Sequence, residues 1–220
     1  MSSSFTNRTG GVSTGAFASL NLALHVEDVE ADVLHNRGIL TALYGPIQYM
    51  NQVHGDHIEI VENFTENPVT ADALITTNPE ISLAVMVADC IPLLLKSDHV
   101  VAAVHVGRRG LVNQISVKVL AKMKEMGAGK ITATIGPAIC GRCYEVSQEL
   151  HDEVVAALPL AKSLTREGKP ALDIVTALRS TLDASGVQIR DEFVCTVESA
   201  EHFSYRRDGK TGRQVGLIRL

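Results

Sequence analysis

Residues 82–106 read SLAVMVADCIPLLLKSDHVVAAVHV. Three apolar runs, SLAVMVAD, IPLLLK and VVAAVHV, follow one another with charge confined to their ends and joints, and this constrains the fold more than any other segment. Short, continuously apolar runs predict buried strands, because a strand with one face in water alternates instead. Asp89 and Cys90 interrupt the series, with Pro92 just beyond, and predict a turn or bulge between two strands. His105 closes the third run in AAVHVGRRG, and upstream NQVHGD places His54 before Gly55. Each of these residues stands where a buried strand meets a loop. From that position a rigid sheet can present side chains to a pocket.

The remaining segments supply helices and more strands. EDVEADVLHNRGILTALYG spaces Val29, Val33, Leu34, Leu40 and Leu43 near the helical period and ends at Gly45-Pro46. LVNQISVKVLAKMKEMG places Leu111, Ile115, Val119 and Met123 at turn spacing and predicts one continuous helix. SQELHDEVVAAL starts at Ser147 as N-cap, and LDIVTALRSTLDASG stops at Gly186. HIEIVE, KITATIG, DEFVCTV and RQVGLIRL read as strands. Strands and helices mix without strict alternation. The expected class is therefore α+β, an α/β sandwich of mixed β-sheets flanked by helices. No linker or low-complexity tract divides the chain, so residues 1–220 are expected to form one domain.

Composition narrows the function classes. A net charge of -5 with scattered basic residues argues against a nucleic-acid partner. No apolar stretch is long enough to span a bilayer, so no membrane partner is expected. MSSSFTNRTGG lacks the basic-then-apolar order of a secretion signal, which predicts a cytoplasmic protein with reduced cysteines. There are 4 of these, Cys90, Cys140, Cys143 and Cys195. Oligomeric state is not legible in the sequence.

His54, Cys90 and His105 make a set of two imidazoles and one thiol. Zinc takes such ligands, and three of them leave a fourth position for water or substrate, as in catalytic centres. Asp89 or another carboxylate would orient a ligand from behind. Two other readings of the same residues stay open here. Cys90 can be an ordinary buried thiol, or a nucleophile with His105 as its base, as in cysteine hydrolases.

Six segments occur in order: NRTGGVSTGAFASLNLALHVED, NQVHGD, ADALITTNPEISLAVMVADCIPLLL, AAVHVGRRGL, IGPAICGRCYEV and FSYRRDGKTGRQ. Together they resemble the YfiH-type family, long labelled the multicopper polyphenol oxidase or laccase domain, over essentially the whole chain. The resemblance implies a single YfiH-like α/β domain with mixed sheets. It also implies that His54, Cys90 and His105 are zinc ligands and the catalytic centre. The implied activity is that of a purine nucleoside phosphorylase acting on adenosine, inosine or guanosine with phosphate. Cleavage of methylthioadenosine and deamination of adenosine would accompany it. Copper and polyphenol oxidation belong to the older label. Arg108 stands where the family usually has Trp, Val106 where it has Ala, and Val87 where it has Thr.

Phosphorolysis needs an anion site and a hold on the ribose. Arg8 in the Gly-rich N-terminal loop and Arg37 on the first helix are candidates for phosphate, because guanidinium forks match its oxygens. His25 is a candidate for a ribose hydroxyl or the phosphate. Cys140 and Cys143 form a C-x-x-C without a second one, and read as incidental thiols; Cys195 reads as core. A multicopper oxidase also needs a trinuclear cluster rich in His-x-His pairs. This chain has 8 His and no such pair, which argues against the oxidase reading.

Overall fold

The computed structural model describes residues 3–220. Its strands are β1 (Ser3–Phe5), β2 (Ile47–Gln48), β3 (Met50–Asn51), β4 (Ile58–Ile60), β5 (Val69–Thr70), β6 (Ala73–Thr76), β7 (Ser82–Val87), β8 (Ile91–Lys96), β9 (Val101–Val106), β10 (Thr132–Ile135), β11 (Lys162–Leu164), β12 (Pro170–Leu172), β13 (Gln188–Asp191) and β14 (Gln214–Ile218). The α-helices are α1 (Glu30–Tyr44), α2 (Arg108–Val112), α3 (Ile115–Glu125), α4 (Gln148–Ala157), α5 (Ile174–Ala184) and α6 (Tyr205–Asp208). Two mixed sheets dominate, ordered β1-β14-β7-β2 and β13-β10-β8-β9-β6-β4. The three apolar runs are β7, β8 and β9, as their composition predicts, but they do not all share a sheet. β7 runs antiparallel to β14 and parallel to β2. β8 and β9 form an antiparallel hairpin inside the other sheet. The chain therefore crosses between sheets at Ala88–Cys90, and that crossing is where the polar pair sits.

Side-chain alternation shows why all three strands are apolar on both faces. Leu83, Val85 and Val87 of β7 pack with Leu94 of β8 and Val101 and Ala103 of β9, forming the core between the sheets. The opposite parity of β7, Ala84 and Met86, joins Leu40 of α1 and Val215 and Leu217 of β14 outside the smaller sheet. On the far side of the larger sheet, Leu93, Leu95, Ala102 and Val104 meet Ile115, Val119 and Met123 of α3 and Ile174 and Leu178 of α5. The layers are helix, sheet, sheet, helices. Each fully buried Leu in them contributes roughly 1.5–3 kcal/mol of transfer free energy. Among the described residues, no helix is long and apolar enough to cross a membrane.

Two local expectations are corrected. The single helix predicted through residues 111–127 is broken: Gln114 has a left-handed φ of 60°, separating α2 from α3. The break lets α3 lie along the sheet while α2 holds Arg108 at a cavity. DEFVCTV is not a strand beyond Asp191, the last residue of β13. The sheet edge is taken by β13, and the chain then peels away, touching Ala138 only through a bridge at Cys195. The caps are as expected. Ser147 accepts from the Leu150 N–H, and Gly186 follows α5 with a left-handed φ of 71°.

Candidate functional site

Two loops and the end of β9 converge to bring His54, Cys90 and His105 together. His54 sits after β3 with a φ of 59°, a conformation uncommon for a side-chain-bearing residue. Cys90 lies at the crossing between sheets, next to Asp89 with its φ of 95°. His105 is the penultimate residue of β9, opposite Pro92 of β8. Their ligating atoms lie within 4.8 Å of one another. Cys90 Sγ is 3.8 Å from His54 Nε2. The two imidazoles meet edge to face with ring centroids 4.7 Å apart. Gly107 closes the back of the group: a Cβ there would stand 3.3 Å from both Cys90 Sγ and His54 Cδ2.

Asp72 orients this group. His105 Nδ1–H donates to Asp72 Oδ1 at 2.8 Å, which directs the other ring nitrogen toward the thiol. The same carboxylate accepts the backbone N–H of His54 at 3.0 Å and of Gly55 at 2.7 Å. Burial would raise its pKa, but His105 and these amides outweigh burial and hold the carboxyl below its ordinary range. Burial likewise opposes ionisation of Cys90, yet the positive charge and hydrogen bonds of His105 and His54 bring the thiol down to about 6. Burial opposes protonation of His105 too, and Cys90 and Asp72 reverse it, lifting the imidazole to about 9. A thiolate held by two imidazoles, one braced by a carboxylate, is a donor set that fits zinc's preference for N and S ligands.

Of the expectation that Asp89 or another carboxylate orients a ligand, the second alternative is the one observed: the carboxylate is Asp72. Asp89 instead ties the cavity wall together. Its carboxylate accepts from Thr196 Oγ1 and from the Arg206 N–H, both at 2.6 Å. Its carbonyl accepts the Ile139 N–H at 2.9 Å. Asp72 left one trace in the sequence, a carboxylate at the mouth of the apolar ADALIT segment.

The group opens into a cavity of about 430 Å³, whose lining includes His25, Arg108, Tyr144, Tyr205, Arg206 and Arg213. That volume is within the range of small-molecule sites. His25 therefore reaches the cavity. Arg8 and Arg37 do not line it. Arg8 Nε donates to the Ala18 carbonyl at 2.7 Å. Arg37 Nε donates to the Leu22 carbonyl at 2.9 Å, and its guanidinium lies 3.9 Å over the Tyr49 ring. Sequence reasoning missed Arg213, which carries no local signature in TGRQ. Arg213 is brought in by β14, and its Nη1 donates to the Thr211 and Gly212 carbonyls. Among the described residues, Arg108, Arg206 and Arg213 form no ion pair with a carboxylate. Burial of His25, followed by the charges of Arg213 and Arg37, lowers its pKa and favours the neutral ring.

Residues 2–220 match the family model described as multi-copper polyphenol oxidoreductase laccase. The chain belongs to this family. A purine nucleoside phosphorylase of Streptomyces coelicolor is 42% identical over 98% of this chain and 94% of its own length. A solved structure of a Neisseria meningitidis protein superposes with a TM-score of 0.90 at 36% identity, covering 99% of this chain and 93% of that one. The Bacillus licheniformis protein YfiH gives a TM-score of 0.89 at 30% identity, covering 99% and 92%. The sandwich expected from the YfiH-type resemblance is thus the fold observed.

Proposed function

We propose that this laccase-family chain is a zinc-dependent purine nucleoside phosphorylase, converting a purine nucleoside and phosphate to free purine and ribose 1-phosphate. The observation that carries the reading is the adjacency of two things in one cavity. One is the His54–Cys90–His105 group, and the other is three guanidinium side chains without carboxylate partners. The 42% identical Streptomyces coelicolor protein, named for this activity, supports it.

Zinc, when bound by His54, Cys90 and His105, would supply Lewis-acid stabilisation of charge building in the transition state. The chain's own residues do the rest. Arg213 is buried enough that desolvation lowers its pKa, so its charge is poorly screened and is felt strongly by an anion. With Arg108 and Arg206 it forms the phosphate-binding side, in preference to Arg8 and Arg37. Neutral His25 can both donate to and accept from a ribose hydroxyl. Burial raises the Tyr144 pKa, so its hydroxyl stays a donor at neutral pH. Met86, Val87 and Ile139 give the purine an apolar wall. The same cavity is proposed to take methylthioadenosine and to deaminate adenosine.

The decisive assay follows purine release from adenosine or inosine by zinc-loaded protein with and without phosphate. Release that is strictly phosphate-dependent, and abolished by chelation or by Cys90→Ala, is expected. Phosphate-independent release, or none alongside robust phenol oxidation, overturns the reading. Among the described residues no metal-type group gathers more than two histidines, so a trinuclear copper cluster is not assembled. A single copper in the Cys-His-His group would be the most an oxidase reading could use. The depressed thiol beside His105 also suits a cysteine hydrolase, which differs in working without metal and trapping a covalent adduct on Cys90.

A further inference from the structure

A second group of metal-type side chains, separate from His54, Cys90 and His105, gathers the other three cysteines. Cys140 and Cys143 occupy a tight turn in which the Cys143 and Tyr144 N–H groups both point to the Cys140 carbonyl, at 3.0 and 3.1 Å. Cys195 comes from the distant loop after β13 and is held beside Ala138 by a parallel bridge. Glu198 lies one turn further, where the Ser199 N–H donates to the Cys195 carbonyl at 3.0 Å. The three sulfurs and a Glu198 oxygen all lie within 4.8 Å of one another, and all three cysteines are free. Cys143 Sγ is 3.6 Å from Glu198 Oε1.

Three soft donors and one hard one gathered within 4.8 Å make up a four-ligand set. With Zn–S near 2.3 Å, tetrahedral sulfurs stand about 3.8 Å apart, so this cluster needs a contraction of about 1 Å at most. The spacing of both pairs is that of a zinc knuckle: C-G-R-C and C-T-V-E each separate their ligands by two residues. Arg166 Nη2 lies 2.5 Å from Glu198 Oε1 and offsets part of the negative charge that three thiolates and a carboxylate would gather. Cys195 is buried, Cys140 and Cys143 are half-buried and Glu198 is exposed, so an ion can enter from the Glu198 side.

We propose that Cys140, Cys143, Cys195 and Glu198 form a second, structural metal site for a thiophilic divalent cation of the zinc class. The site joins two loops that wall the cavity. The first carries Ile139 and Tyr144, and the second leads to Tyr205 and Arg206. Both loops are already bonded to Asp89, through the Ile139 N–H and through Thr196 and Arg206. The metal ties them a second time.

The test uses the full-length Cys90→Ala protein, whose own centre has lost its sulfur, so the result does not depend on the phosphorylase reading. Reduced, chelator-stripped protein is titrated anaerobically with cobalt, then with zinc. The expected result is one equivalent of cobalt bound with thiolate-to-cobalt charge-transfer absorption, displaced by zinc. Zinc should also slow alkylation of Cys140, Cys143 and Cys195 together by at least tenfold. Adding Cys143→Ser should abolish the absorption. Should that variant fail to fold, Glu198→Gln keeps the thiolates and should weaken cobalt binding while retaining the sulfur absorption. Reduced Cys90→Ala protein that shows no sulfur-to-cobalt absorption, with the three thiols alkylated equally fast with and without zinc, would overturn the site.

Discussion

Asp72 accepts the His105 ring proton and the backbone of the loop that presents His54, so one buried carboxylate sets the aim of two ligands. Asp72→Asn keeps the shape, removes the charge and turns a donor toward one of those N–H groups. Zinc affinity at the His54–Cys90–His105 centre should fall about 10–100-fold, read by competition with a chromophoric chelator. Cys90 offers a second test, in the metal-free protein. Its pKa is depressed from 9.0 to about 6, so the thiolate persists as pH falls until about 6 and is lost below. Site-resolved alkylation of Cys90 should therefore have its midpoint near pH 6 and be flat between pH 7 and 9. A rate that keeps climbing through pH 9 would show that His105 and His54 do not hold the thiolate. The sulfur and two imidazoles stood out in sequence because each lies near the joint of a buried strand and a loop, but only the order of the family's segments implied that they act together as ligands. Asp72 stood out less, since a lone carboxylate beside an apolar run says nothing of which histidine it will meet.

Helix caps link local sequence to the site at the scale of elements. Asp173 caps α5, accepting from the Thr176 N–H at 2.9 Å and Thr176 Oγ1 at 2.8 Å, and Ile174 just after it lines the cavity. Ser147 caps α4, whose residues do not line the cavity. Asp173→Ala and Ser147→Ala should each cost about 1 kcal/mol in urea unfolding. Only Asp173→Ala should also raise the KM for nucleoside. Equal KM effects would mean that α5 does not position the wall. Helix ends and apolar strands were readable because caps and alternation are local. The break at Gln114 was not, because Leu111, Ile115, Val119 and Met123 keep turn spacing across it. Nor was the loss of strand at Phe193–Val197, where tertiary context overrides β-propensity.

The two sheets hold the site as one body, so metal binding should register in global stability. Zinc at about 100 times its Kd adds about 2.7 kcal/mol to the folded state. For a chain of this size that is a rise in Tm of about 5–10 °C. Wild type minus Cys90→Ala in differential scanning calorimetry isolates the contribution of the first centre. A difference under about 1 °C would argue that the centre binds no metal tightly. Alternation, caps and motif order carry the buried strands, the helices, the family and the zinc-type donors, since each depends on near neighbours along the chain. Which donors meet is another matter. His54 and Cys90 are 36 residues apart, Asp89 and Arg206 are 117, and the C-x-x-C gains a partner only because C-T-V-E is carried back to it. Those encounters are set by sheet order and by the crossing at Ala88–Cys90. Strand pairing depends on the packing of the whole chain, and no local periodicity encodes it.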